Sequence, residues 1–188
     1  MLTTISRLKG LLKIPSSDTG EDSELEAVIM AASQAIENHC NRSFELKDRT
    51  ELYDGSGLEH VFVRSFPVTT IDSIKIAGEV ITDYLKIENS GMIYRKNKWP
   101  RGLYNIEISY SGGYVLPNDD PDSEVEGNLP KPVEQAALIL ARMIHMGEWG
   151  KESERFGNSY SVTYAKGDPG RLPPVVEALI GPYRRRMV

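Results

Sequence analysis

The residues of this chain best suited to acid-base, metal or nucleophilic chemistry are His39, His60, His145 and the single cysteine, Cys40. A zinc site needs several imidazole or thiolate ligands at short spacing, and none of the three histidines has a partner at metal-ligand or catalytic spacing. His39 and His145 instead fall near helix C-termini, where a cationic ring complements the backbone dipole. Cys40 continues the apolar stripe of its helix, which predicts a buried, inert thiol. One cysteine also excludes an intrachain disulfide framework, so the fold must rest on packing.

Carboxylates crowd the stretch from Leu116 to Leu129, where Asp119, Asp120, Asp122, Glu124 and Glu126 occur with no Lys or Arg among them. Their spacing lacks the alternating ligands and glycine of a calcium-binding EF-hand loop. They read as an exposed, solvated loop, which in a ring of copies could face the lumen or a partner. The glycines in Ser56-Gly57 and Ser111-Gly112-Gly113 do not form a phosphate-binding pattern such as GxxxxGKS and read as turns. The concentrated positive patch is Arg184, Arg185 and Arg186, behind Tyr183. Arginine pairs bidentately with carboxylates, so Tyr183, Arg184, Arg185 and Arg186 are expected to dock into an acidic groove of another protein.

Composition sets the outer bounds. The 188 residues carry a net charge of −5 and an ordinary charged fraction of 26%, which argues against a broad cationic face for nucleic acid. That length suits one domain, or one domain with a β-rich lobe. The N-terminus lacks the charged-then-apolar order of a signal peptide, and no apolar run approaches the roughly 18 to 20 residues of a membrane span. The expectation is a protein made in a reducing cytoplasm, with no cofactor and no membrane role.

Hydrophobic periodicity places the elements that must position these groups. Thr3 to Leu12 reads as a short helix capped at Thr3 or Thr4, with Leu8, Leu11 and Leu12 on one face. Leu25, Val28, Ile29, Ala32, Ile36 and Cys40 mark a long helix capped by Asp22 or Ser23. From Phe44 to Tyr114 the pattern turns to short β-branched and aromatic runs. Strands are expected near Glu51, Val61 to Val63, Ile71 to Ile76, Tyr84 to Ile87, Met92 to Tyr94 and Tyr104 to Tyr110, the last with Tyr104, Ile106, Ile108 and Tyr110 on one face. Pro132 to Met146 forms a second main helix whose Val133, Ala136, Ala137, Leu140, Ile144 stripe permits close helix-helix approach. Glu148 to Ser159 is polar and expected to be mobile unless a neighbouring molecule orders it, Ser161 to Tyr164 to pair as a strand, another subunit being one available partner, and Pro173-Pro174 to start a helix that Gly181-Pro182 stops.

The expected class is α+β: an antiparallel helical core of two main helices and short terminal helices, carrying a β-rich insert. A single domain spans 1–188, with helical body 1–43 and 130–147, β-rich insert 44–115, acidic loop 116–129, flexible segment 148–160, and C-terminal helix with basic tail 172–188.

A set of motifs runs nearly end to end: Met1-Leu2-Thr3-Thr4, Ala35-Ile36-Glu37-Asn38-His39-Cys40-Asn41-Arg42-Ser43-Phe44, Phe66-Pro67-Val68, Trp99-Pro100-Arg101-Gly102, Ile106 to Tyr114, Glu134-Gln135-Ala136-Ala137 and Pro182-Tyr183-Arg184-Arg185. In these the chain resembles the head-tail connector, or adaptor and head completion, proteins of tailed bacteriophages. The resemblance implies a non-enzymatic virion neck protein, made in the host bacterial cytoplasm, that forms a ring, commonly of twelve copies. Its implied partners are the portal protein, copies of itself and the next connector or tail-terminator protein, with packaged DNA passing through without sequence-specific binding. Under it, Tyr183 to Arg186 become a portal-docking element, and Glu148, Trp149, Lys151, Glu152, Arg155 and Phe156 an inter-subunit or lumen segment. Two other roles fit the residues: tail completion or another neck position, and a ligand-binding β-module using Tyr53, Tyr94, Trp99 and Tyr104 as a stacking face for a glycan.

Overall fold

The computed structural model describes residues 1–87, 90–120, 126–149 and 171–185, and the backbone of 153–156 and 160–163. The class is α+β, as expected, with four α-helices among the described residues. The chain divides into two compact units, a helical one from Met1–Arg42 with Leu116–Val188 and a β unit from Ser43–Val115. Among the described residues no helix is long and apolar enough to cross a membrane.

In the helical unit, α1 (Ile5–Leu12) is capped by Thr4, whose hydroxyl accepts from the Arg7 N–H at 3.4 Å. Helix α2 (Asp22–Cys40) begins earlier than its apolar stripe suggests, and neither Asp22 nor Ser23 caps it; Glu21 stands at the cap without a side-chain hydrogen bond. The reason is tertiary: the Asp22 carboxylate pairs with Lys9, whose ammonium is buried and also donates to the Asp18 carbonyl at 2.7 Å. Asn41 ends α2 in the left-handed region at φ 53°, a conformation asparagine tolerates better than most side chains.

Helix α3 (Lys131–His145) packs against α1, α2 and α4 (Pro174–Ile180). Its Val133, Ala136, Ala137, Leu140 and Ala141 are fully buried, as are Leu25, Ile29, Ala32, Ile36 and Cys40 of α2, and the alanines let helix axes approach closely. Glu134 is buried on α3 and is paired with Arg7 of α1 and, at 3.4 Å, with Lys131. A buried carboxylate needs such partners, so the pair fixes where α1 lies on α3. After α4 the chain tightens into a 3-10 turn, Gly181–Tyr183, instead of stopping at Gly181-Pro182. Proline is tolerated in that first turn because its missing N–H would have had no partner there.

The β unit holds two antiparallel sheets. The first orders its strands β1 (Lys47–Gly55), β7 (Gly102–Gly112), β3 (Val68–Ile76) and β4 (Glu79–Ile81); the second orders β2 (His60–Phe62), β6 (Met92–Tyr94) and β5 (Leu85–Ile87). Tyr53, Val63, Val68, Ile74, Ile93, Trp99, Ile106, Ile108 and Tyr110 form one core cluster drawn from both sheets. Inside it Glu51 accepts hydrogen bonds from the hydroxyls of Tyr53 and Tyr110, the latter at 2.9 Å, while those oxygens accept from the N–H groups of Arg64 and Ser65, each at 3.0 Å. Both phenol oxygens thus act as donor and acceptor at once, the condition under which buried polar groups add rigidity. Burial raises the pKa of both phenols and keeps them protonated as donors.

The expected alternation along β7 holds from Ile106 to Tyr110 but not at Tyr104, which is 69% exposed. Tyr104 sits at φ 50°, and its N–H donates to the Asp54 carboxylate at 2.7 Å. That left-handed residue flips the side chain away from the face that Ile106 and Ile108 share.

Candidate functional site

The acidic residues do not act as one free loop. Asp119 accepts from the Ser6 N–H at 3.0 Å at the start of α1. Partial burial would raise its carboxyl pKa, but hydrogen bonds from Ser6 and Thr4 and the nearby Arg7 outweigh that and lower it. A carboxylate at a helix N-terminus stabilises the exposed N–H groups there. Asp120 also makes an interaction within the chain, and Glu126 is exposed. Asp122 and Glu124 lie outside the described residues.

The basic tail is partly tied down. The Arg185 N–H donates to the Cys40 carbonyl at 2.9 Å, satisfying an acceptor at the C-terminus of α2, and the Arg184 N–H donates to Gly181 at 3.3 Å. Tyr183 and Arg185 are half-buried and Arg184 is exposed; Arg186 lies outside the described residues. The Arg185 Nε is buried without a hydrogen-bond partner. Beside this junction burial pushes the Cys40 thiol up to about 11, against the lowering pull of Arg42 and Arg184. The thiol is therefore neutral at physiological pH and chemically inert there.

The segment after α3 starts as a continuation of that helix end. The Glu148 N–H donates to the Met143 carbonyl at 2.8 Å, its carboxylate lies 3.7 Å from Arg142, and the Trp149 indole N–H donates to the Arg171 carbonyl at 3.4 Å. Strand β8 (Ser153–Phe156), which includes Arg155 and Phe156, pairs antiparallel with β9 (Tyr160–Thr163) of the same chain. The strand expected near Ser161 is present as β9, with its β8 partner supplied by the same chain; Tyr164 lies outside the described residues. Lys151 and Glu152 lie outside the described residues.

Of the aromatics that could have formed a glycan-stacking face, Trp99 is 0% and Tyr53 7% exposed, so two of the four belong to the β core and no shared face exists. Of the histidines, His145 has its Nδ1 3.8 Å from Glu24, and His60 packs edge-on against Phe62 at 5.4 Å. Among the described residues no group of three or more His, Cys, Asp or Glu could hold a metal ion.

A second basic stretch accompanies the C-terminal one. Arg95, Lys96, Lys98 and Arg101 stand in the β6–β7 connection with no acid between them. The loop is firmly seated. Arg95 and Trp99 donate their N–H groups to Glu59 at 2.7 Å and Leu58 at 2.8 Å, and the Lys98 N–H donates to the Arg95 carbonyl at 3.1 Å. The Arg95 guanidinium donates to the Lys98 carbonyl at 2.8 Å, pairs with Asp83 at 2.9 Å and lies 6.0 Å over the Trp99 ring. Two glycines allow this docking: a Cβ on Gly55 would lie 1.7 Å from the Pro100 carbonyl oxygen, and one on Gly57 would meet the Arg101 side chain at 2.9 Å. Sequence reasoning passed over this run in favour of Arg184 to Arg186, although four cations in seven residues could have signalled it; the burial of Trp99 has no such signal.

What the described residues present is therefore mainly a set of surfaces, with the buried Lys9 and Glu134 committed to ion pairs. The chain belongs to the head completion protein family, which it matches over residues 1–186, in agreement with the resemblance carried by its motifs. Three solved structures share its fold. The neck of an empty GTA particle computed with C6 symmetry is 17% identical and covers 97% of this chain and 89% of that chain at a TM-score of 0.62. The neck of a native GTA particle computed with C12 symmetry is 16% identical, with coverages of 88% and 84% and a TM-score of 0.56. The virion of a native gene transfer agent particle is 17% identical, with coverages of 92% and 82% and a TM-score of 0.58. No curated protein matches the chain.

Proposed function

We propose that this protein is a structural adaptor of a bacteriophage virion neck, without enzymatic activity, that closes as a ring beneath the portal, extends the DNA channel and offers a surface to the next connector or tail component. The observation that carries the reading is the match to the head completion family over residues 1–186. Shared fold with neck components of gene transfer agent particles supports it, and the C12 symmetry of one of them favours twelve copies. The two units act as one connector domain, with the paired helices α2 and α3 as its body.

A ring of identical chains requires heterologous lateral surfaces, in which one patch meets a different patch of the next copy. Leu103 and Tyr104, 79% and 69% exposed, and Val80, 63% exposed, supply apolar area at one end of the four-stranded sheet, where the β3–β4 turn adjoins β7. Large apolar side chains exposed together favour protein contact. Portal docking falls to Tyr183, Arg184, Arg185 and Arg186, of which Arg184 is exposed and Tyr183 and Arg185 half-buried.

Portal rings mixed with the purified chain test this directly. Electron microscopy should reveal an added ring, and deletion of Arg184 to Arg186 should abolish binding. A chain that never decorates portal rings, or a deletion that binds unchanged, would refute the adaptor role or the docking element respectively. Alone, the chain should sediment as a monomer, because portal binding raises the local concentration that closes the ring; a stable twelve-subunit species without portal would refute that template step.

A further inference from the structure

Asp54-Gly55 is the single Asp-Gly pair of the chain, which contains no Asn-Gly. Such a pair is the aspartyl sequence most open to self-modification, because glycine leaves its own amide nitrogen unhindered and its backbone free to rotate. The fold does not permit a bulkier neighbour. A Cβ on Gly55 would lie 1.7 Å from the Pro100 carbonyl oxygen, and Asp54 is committed to Tyr104, whose N–H it accepts at 2.7 Å. Both members of a labile pair are thus required by the way the β6–β7 connection is seated.

The same seating restrains the two groups that would react. The Gly55 N–H donates to the Asn105 Oδ1 at 2.9 Å, and the Asn105 amide donates in turn to the Pro100 carbonyl at 3.0 Å. The β1–β7 register breaks at this point: Tyr53 faces Ile106 and Gly55 faces Gly102, so Leu103 to Asn105 bulge opposite Asp54 alone. Asp54 is exposed, whereas Gly55 is buried. Attack requires Asp54 to leave its strand conformation and turn the glycine nitrogen towards the carboxyl carbon, a motion that breaks the bonds to Asn105 and Tyr104 together.

We propose that Asp54-Gly55 is a latent isoaspartate site and that Asn105 is the residue that keeps it closed. When the turn opens, the Gly55 nitrogen attacks the Asp54 Cγ and forms a C–N bond. One carboxyl oxygen leaves as water, carrying the amide proton and the carboxyl proton. Water then opens the succinimide ring. Cleavage between Cγ and nitrogen restores aspartate; cleavage between the α-carbonyl carbon and nitrogen leaves the chain running through Cβ and Cγ, with no net change in mass. That product is longer by one methylene and carries its carboxylate on Cα. It withdraws the group that anchors Tyr104 at φ 50°, so the exposed Leu103-Tyr104 bulge loses its support. This chemistry is a property of the chain alone, whatever ring it joins.

The test holds the full chain at body temperature and mildly acidic pH for some weeks. Isoaspartate is read by enzymatic methylation and placed by peptide mapping, where an unchanged mass separates it from asparagine deamidation. The native parent should accumulate little at residue 54 and the parent in urea should accumulate it readily. Asn105→Ala should keep the parent far-ultraviolet circular dichroism and raise the native rate about fivefold, the shift in open population expected for losing one ordinary hydrogen bond. Val68→Ala is the control, because Val68 is buried opposite Gly112, at the other end of β7, and its truncation loosens the core without touching the Asn105 contacts. It should react like the parent. Hydrogen exchange at the Gly55 amide of the parent reads the closure directly and should be slow. No isoaspartate at residue 54 in urea, equal rates in native and unfolded parent, rapid exchange at Gly55, or an Asn105→Ala rate no higher than that of the parent would overturn the proposal. A Val68→Ala rate matching Asn105→Ala would overturn it too, by assigning the effect to general loosening.

Discussion

The two tryptophans divide between the two units and occupy opposite surroundings: Trp99 is fully buried in the β unit, whereas Trp149 in the helical unit is 38% exposed. The contrast extends to how each unit holds together. The β unit is one continuous run, Ser43–Val115, closed around bulky side chains. The helical unit joins two separate runs through small residues at the helix contact and through charged groups withdrawn from water, Lys9 and Glu134. Volume dominates in the first and charge matching in the second, so each should fail under a different insult.

The largest expected effect is at Trp99. Trp99→Ala should cost about 3 to 5 kcal/mol, the usual range for deleting a buried large aromatic. Near-ultraviolet dichroism of the packed tyrosines should be lost at lower urea while the helical signal keeps its midpoint. If both signals shift together, the units unfold as one and the contrast fails.

Glu134→Ala is the matching change in the helical unit. Arg7 keeps 43% of its side chain exposed and can be hydrated once freed, so the expected loss is about 1 to 2 kcal/mol, seen in the helical signal alone. No change in the helical melt would mean that the pair contributes nothing there.

Asp119 gives a smaller, pH-dependent effect. Its folded pKa is lowered, so its contribution is complete above the ordinary carboxylate range and is lost as pH falls through the folded value. Asp119→Asn should therefore lower the unfolding free energy at neutral pH by about 0.5 kcal/mol after solvent screening, seen as a lower thermal midpoint, and the difference from the parent should shrink in acid. A difference that grows in acid would reverse the sign argued here.

The smallest effect concerns Cys40. With its thiol pushed up to about 11 and buried, alkylation in the native state at mildly alkaline pH should be negligible and should become complete in urea. Rapid native labelling would place the thiol at the surface and break the packing of α2.

The elements legible in the sequence are those whose burial follows one period. The α2 stripe and the Ile106 to Tyr110 alternation translate directly into buried faces, because a single side of each meets the core. Strand β4 escaped notice because Glu79–Ile81 is short and mostly exposed, formed by pairing with Ile74 to Ile76 and not by its own pattern. Tyr104 was assigned the wrong face because its positive φ arises from the distant Asp54. The α2 cap was misplaced for a similar reason, since Asp22 answers to Lys9 in another segment. Among the surface residues, the Arg95 to Arg101 run was passed over, and its pairing of Arg95 with Asp83 depends on a contact between separate segments.

One feature at the border of the β unit reaches beyond stability. Glu45 and Tyr114 form a parallel bridge, with the Leu46 N–H donating to Tyr114 at 2.8 Å and the Tyr114 N–H to Phe44 at 2.7 Å. The outgoing and returning strands are thereby stapled side by side, so the whole excursion behaves as a cassette with a closed neck. A module whose own ends lie equally near meets the geometric condition for replacing the lobe at that staple.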